Sequence, residues 1–73
     1  MKVQLVKFGE AIRQIEVKEG ITIAEFLESI GNPHKNGYTV RVSGEPIGDS
    51  PEQLGRRLEP EDQVLVIPNV EGG

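Results

Sequence analysis

One stretch of this chain, ITIAEFLESIG at residues 21–31, has the signature of an amphipathic helix of useful length. Thr22 stands where an N-cap belongs, and Glu25 three residues later completes a capping box. Ile21 before the cap and Phe26 at the fourth helical position form a hydrophobic staple. Ile23, Phe26, Leu27 and Ile30 recur at the spacing of one apolar face, Gly31 ends the run, and Pro33 prevents a restart. About ten residues is marginal for a helix in water, so packing must hold it. A single helix of this size covers only one face of a sheet, and the other apolar segments read as strands.

KVQLVKF at 2–8 is rich in β-branched and apolar residues, Gly9-Glu10 supplies a turn, and IRQIEV at 12–17 returns as the second strand of a hairpin. Lys18-Glu19-Gly20 breaks the pairing. YTVRV at 38–42 alternates, with Tyr38, Val40 and Val42 on one side and Thr39 and Arg41 on the other. SGEP at 43–46 reads as a turn. SPEQL repeats a helix start, with Ser50 as cap, Pro51 at the first position and Gln53 as box partner, but Gly55 limits it to one or two turns. EPEDQ leads into the last strand, VLVI at 64–67. The expected class is α+β: a mixed sheet of four to five strands packed on one main helix. Val64, Leu65, Val66 and Ile67 are apolar on both alternations, as are Val3, Leu5, Val6 and Phe8. One set must lie on the side that the helix leaves bare, and the sequence does not choose which. Such a face is either scattered surface carbon or a docking patch.

With 73 residues the chain is one domain near the lower limit for a self-supporting core. It has no cysteine, which excludes a disulfide, a thiolate metal site and a cysteine nucleophile. A net charge of −4, with Arg56-Arg57 as the one arginine doublet, speaks against nucleic-acid binding. No apolar run approaches a membrane span and no signal-peptide core is visible, so a cytoplasmic location is expected. His34 stands alone in NPHKNG and is expected to be a solvated loop residue. Glu59, Glu61 and Asp62 lack the spacing of a cation loop and read as a solvated turn, and Arg56-Arg57 read as surface ion-pair partners beside Glu52 and Glu59. No metal site and no bound cofactor are expected.

The order of elements, together with TIAEFLESIG, VRVSGEPI and LEPEDQVLVIPNVEGG, resembles the ubiquitin-like β-grasp fold. Within that superfamily the chain is similar to the sulfur carriers of thiamine-thiazole synthesis and the small subunit of molybdopterin synthase. The chain departs from the thiazole carriers in reading SGE where they favour NGE, and Pro60-Glu61-Asp62 where they favour DGD. The resemblance implies a β-grasp domain at 1–67 and an extended, flexible tail at 68–73. It also implies that Gly73 carries a reactive carboxylate and that Gly72 supplies clearance. A C-terminal carboxyl ionises with a pKa of roughly 3.5 and is a poor electrophile until activated. Adenylation at the expense of ATP would activate it, after which a sulfur donor gives a thiocarboxylate or an acceptor lysine gives an amide.

The chain has no phosphate-binding GxxxxGK[ST] loop, so it is expected to be no enzyme but the substrate of a ubiquitin-activating-type adenylating enzyme, which uses the ATP. A sulfur-acceptor synthase subunit is the second expected partner; nucleic acid and membrane are not. Six extended residues reach about 20 Å, glycines pass a narrow channel, and Pro68 is expected to mark where strand pairing stops. The docking candidates are Val70 on the tail, Ile67 and Leu65 on the last strand, Arg41, and Phe8. Three functions stay open: a sulfur carrier in cofactor biosynthesis, a protein modifier conjugated to lysines through Gly73, and a binding-only module with an inert tail.

Overall fold

The computed structural model describes residues 1–69. Five strands and two α-helices follow in the order β1 (Lys2–Lys7), β2 (Arg13–Glu16), α1 (Ile23–Ser29), a 3-10 turn (Pro33–Lys35), β3 (Tyr38–Val42), β4 (Glu45–Ile47), α2 (Pro51–Leu54) and β5 (Gln63–Pro68). The sheet order is β2-β1-β5-β3-β4. β1 and β5 run parallel in the centre, and every other neighbouring pair is antiparallel. This is the mixed β-grasp sheet that the resemblance implied, with α1 laid across one face.

α1 begins as the sequence dictates. The Thr22 hydroxyl accepts the Glu25 N–H at 3.1 Å, and the Glu25 carboxylate accepts the Thr22 N–H at 3.1 Å. Its end is a Schellman motif: the Asn32 N–H donates to the Leu27 carbonyl at 2.8 Å and the Gly31 N–H to the Glu28 carbonyl at 3.2 Å. Gly31 holds φ at +93°, a conformation that a Cβ would strain. Replacing Thr22 with alanine is expected to cost about 1 kcal/mol, a fall in Tm of roughly 4–8 °C for a domain of this size.

The Glu25 carboxyl is held below its ordinary 4.5, first by the Thr22 backbone N–H and then by the Lys18 side chain. Its folded value lies below the unfolded one, so this contribution is whole above 4.5 and is lost as pH falls through the folded value. Thermal melts of Glu25→Gln should therefore show a shallower loss of Tm below that pH than the wild type shows.

Alternation decides the core. Val3 and Leu5 of β1, Val40 and Val42 of β3, and Val64 and Val66 of β5 face Ile23, Phe26 and Leu27 of α1. Ile21, Ile47 and Leu58 close the sides, and all twelve are at most 8% exposed. Leu58 is held there because residues 56–58 run beside the start of α1. The Ile23 N–H donates to the Arg56 carbonyl and the Leu58 N–H to the Ile21 carbonyl, both at 2.9 Å. One otherwise orphaned helix donor is thereby satisfied.

Four local expectations change. Residues 43–46 are not only a turn, because Glu45 and Pro46 belong to β4, a three-residue edge strand paired to β3. An edge tolerates proline, and the pairing comes from β3 and not from any periodicity in the segment itself. Ser50 makes no side-chain cap on α2; Gln53 instead bonds backward, accepting the Gly48 N–H at 3.1 Å and donating to the Pro46 carbonyl at 2.9 Å.

His34 is half-buried, not a freely solvated residue, since the 3-10 turn packs Pro33 into the domain. Its Nδ1 is buried and has no hydrogen-bond partner among the described residues. Finally, pairing does not stop at Pro68, because the Asn69 N–H donates to the Gly37 carbonyl at 2.9 Å. In an antiparallel ladder bonded and non-bonded pairs alternate. Asn69 and Gly37 are a bonded pair, so Pro68 opposite Tyr38 is a non-bonded one, where the missing proline N–H is not needed on this side.

Candidate functional site

The structure chooses the alternation that the sequence left open. Val64 and Val66 point at α1 and are buried, whereas Leu65 and Ile67 are half-buried on the opposite face, which no helix covers. Register places Val6 of β1 beside Leu65, Arg41 of β3 on its other side, and Pro46 of β4 beyond Arg41. Thr39 stands opposite Ile67. The bare face thus has an apolar centre of Val6, Leu65 and Ile67 with Arg41 at its flank. The Arg41 guanidinium reaches the Gly44 carbonyl at 3.3 Å, which leaves most of its donors to solvent. An apolar centre beside one arginine is the composition of a protein-docking surface.

Of the expected docking residues, Leu65, Ile67 and Arg41 come together on this face. Phe8 does not join them within a strand. β1 ends at Lys7, and Phe8 sits in the following turn at 75% exposure. There it borders a cleft of about 350 Å³ at the end of the sheet, with Ile30, Pro33, Tyr38 and Pro68 among the other walls. Val70, Gly72 and Gly73 lie outside the described residues. Val6 was not among the candidates; its alternation with Gln4 and its place opposite Leu65 are what mark it.

The described residues end with Asn69, at the edge of this face. Asn69 follows Leu65 and Ile67 on the same alternation, and its side-chain oxygen accepts from the Thr39 hydroxyl. Together with its N–H bond to Gly37, this ties Asn69 to β3 at two points. Gly37 has φ of +83°, so the turn that presents its carbonyl requires glycine.

The charged side chains elsewhere serve the fold. Arg56 pairs with Glu45 at 2.5 Å and not with Glu52 or Glu59, and that hydrogen bond raises its already high pKa. Asp62 accepts the Glu59 N–H at 2.8 Å and the Ser43 hydroxyl at 2.7 Å, which braces the turn before β5. Among the described residues no group of three or more His, Cys, Asp and Glu could hold a metal ion, and no helix is long and apolar enough to cross a membrane.

A single change tests the face. Leu65→Asp leaves the buried alternation untouched and should keep the fold by circular dichroism. It places a desolvated charge at the centre of any partner interface, so titration against a cognate activating enzyme should show KM raised roughly tenfold or more.

A family model described as the ThiS family matches residues 4–73. No curated protein matches the chain. Solved structures do. SAMP1 from Haloferax volcanii is 17% identical with a TM-score of 0.72, covering 100% of both chains. A protein described as molybdopterin converting factor, subunit 1, from Pyrococcus furiosus is 21% identical with a TM-score of 0.71, over 94% of this chain and 98% of that one. A ubiquitin from Caldiarchaeum subterraneum is 21% identical with a TM-score of 0.61, over 100% of this chain and 98% of that one. At these identities the structural likeness establishes the ubiquitin-like β-grasp fold.

Proposed function

The chain belongs to the ThiS family, and from that premise we propose that it is a sulfur carrier whose Gly73 carboxylate is activated by a partner and converted to a thiocarboxylate. The observation that carries the reading is the span of the family match, which runs through the Gly-Gly end to residue 73. Small carriers of this family are generally not enzymes, and the family implies an adenylating partner and a synthase subunit that takes the sulfur.

The chemistry is balanced by the partner's ATP. The Gly73 carboxylate oxygen attacks the α-phosphate, the bond to the β-phosphate breaks, and pyrophosphate leaves. The resulting acyl-adenylate is an electrophile, and a hydrosulfide-level sulfur nucleophile displaces AMP to leave the thiocarboxylate. The thiocarboxylate sulfur then bonds to an electrophilic cofactor precursor on the synthase, and water cleaves the acyl C–S bond, which leaves the sulfur on the precursor and restores the Gly73 carboxylate. This chain contributes the reacting carboxylate, glycines that clear the partner's channel, and the bare sheet face that docks the globule outside it.

A second reading uses the same activated end to form an isopeptide bond with a lysine. The fold shared with SAMP1 and with a ubiquitin is what favours it. Incubation with a cognate activating enzyme, ATP and a sulfur source separates the two. Intact-mass analysis showing oxygen replaced by sulfur at the C-terminus supports the carrier. Lysine conjugates without that exchange support the modifier, and a carboxylate left unchanged under every condition sinks both.

A further inference from the structure

We infer that Thr39 is a positioning residue: its hydroxyl, through Asn69, clamps the root of the tail to β3 on the docking face and so sets where the reactive end can go. The inference rests on the carrier reading and adds to it a residue outside the tail. Three observations carry it. The Asn69 N–H donates to the Gly37 carbonyl at 2.9 Å, one residue past the proline expected to end the pairing. The Thr39 hydroxyl donates to the Asn69 side-chain oxygen. Thr39 itself stands opposite Ile67 on the β3 flank of the bare face, and is exposed, so core packing does not explain its hydroxyl.

The consequence is geometric. With Asn69 held, the length of chain between the clamp and the Gly73 carboxylate is residues 70–73 and not 68–73. Four residues span at most about 14 Å, against about 20 Å for six. The partner's reacting phosphate must therefore lie within that shorter distance of Asn69, beside the surface that covers Leu65 and Ile67. A clamped root raises the effective concentration of the carboxylate at that site, because docking of the face already delivers the origin of the tail. Releasing it makes the partner order one or two more residues at each turnover.

The experiment pairs a measurement on the free chain with one on catalysis. In the free chain, hydrogen exchange at the Asn69 amide should slow when the clamp is present, and Thr39→Val should speed it about tenfold while Thr39→Ser leaves it slow. With the activating enzyme, Thr39→Val should lower kcat for pyrophosphate exchange about tenfold, with KM for the chain unchanged, and Thr39→Ser should restore kcat. Asn69→Ala, which removes the acceptor from the other side, should reproduce the valine result in both measurements.

An Asn69 amide indifferent to Thr39→Val overturns the clamp. A faster amide with kcat unchanged, or a rise in KM alone, overturns the positioning role and leaves the carrier reading intact. If the wild-type chain is never adenylated, the carrier reading fails first and the positioning role falls with it.

Discussion

A chain ending at Glu71 should melt at the same temperature as the full chain, bind the activating enzyme, and undergo no adenylation. Gly72 and Gly73 lie beyond β5 and outside the described residues, and as glycines they have no side chain to add to the hydrophobic cluster. Their loss withdraws the carboxylate by about 7 Å. In-line attack requires reacting atoms about 3–3.5 Å apart, and a misplacement of even 1 Å costs on the order of 10²-fold. Pyrophosphate exchange should therefore fall to background. The shortened chain keeps Val6, Leu65, Ile67 and Arg41, so it should compete with the full chain for the enzyme. Exchange that persists after truncation would mean that the Gly-Gly end does no chemistry, and the binding-only alternative would take its place.

The two phenylalanines should give opposite results when each is replaced by alanine. Phe26 is 1% exposed between α1 and the sheet, and removing its ring should cost about 3–5 kcal/mol through lost transfer energy and the cavity left behind. A domain of this length is stable by roughly 4–11 kcal/mol, so Phe26→Ala takes away a large part of the total. Its Tm should fall by roughly 15–30 °C, or the chain should fail to fold. Phe8 is 75% exposed and its replacement should lie within about 0.5 kcal/mol of wild type. Calorimetry of the pair checks both. A Phe26→Ala chain that melts within a few degrees of wild type would show that α1 does not seat on the sheet as described.

The contrast between these two residues shows how legibility divides. Phe26 was identifiable as core from its place four residues after the Thr22 cap and its spacing with Ile23, Leu27 and Ile30. That information is local, because a helix has one periodicity and one apolar face. Phe8 shares alternation with Val6 along KVQLVKF and was grouped with the docking strand residues for that reason. Where β1 stops pairing is decided by its neighbours β2 and β5, and the chain turns one residue before the pattern would carry Phe8 onto the bare face. β4 escaped detection on the same grounds. Three residues with a proline have no period of their own, and Glu45–Ile47 is a strand only because Val40 and Val42 lie beside it.

The bare face of the sheet divides in the same way. A run such as VLVI announces a strand with apolar residues on both sides, but which pair is covered depends on where α1 rests. Burial of Val64 and Val66 settles that, and leaves Leu65 and Ile67 half-buried on the face that α1 does not cover. At the end of β5, Pro68 alone does not tell whether the next residue still bonds to β3. Proline lacks a donor, but in an antiparallel ladder every second residue needs none on a given side, and only the register of β3 against β5 tells which residue that is.

What the sequence determined by itself was whatever is encoded within a few bonds: the capped helix, the strand segments and the turn glycines. The tertiary structure alone decided which apolar residues are spent on the core, which remain as a surface, and that hydrogen bonding to β3 continues through Asn69. The physical reason is that helix caps and side-chain periodicity act between residues close in sequence. In the two central ladders, β1 against β5 and β3 against β5, register is set by partners 22 to 59 positions away, which no local pattern records.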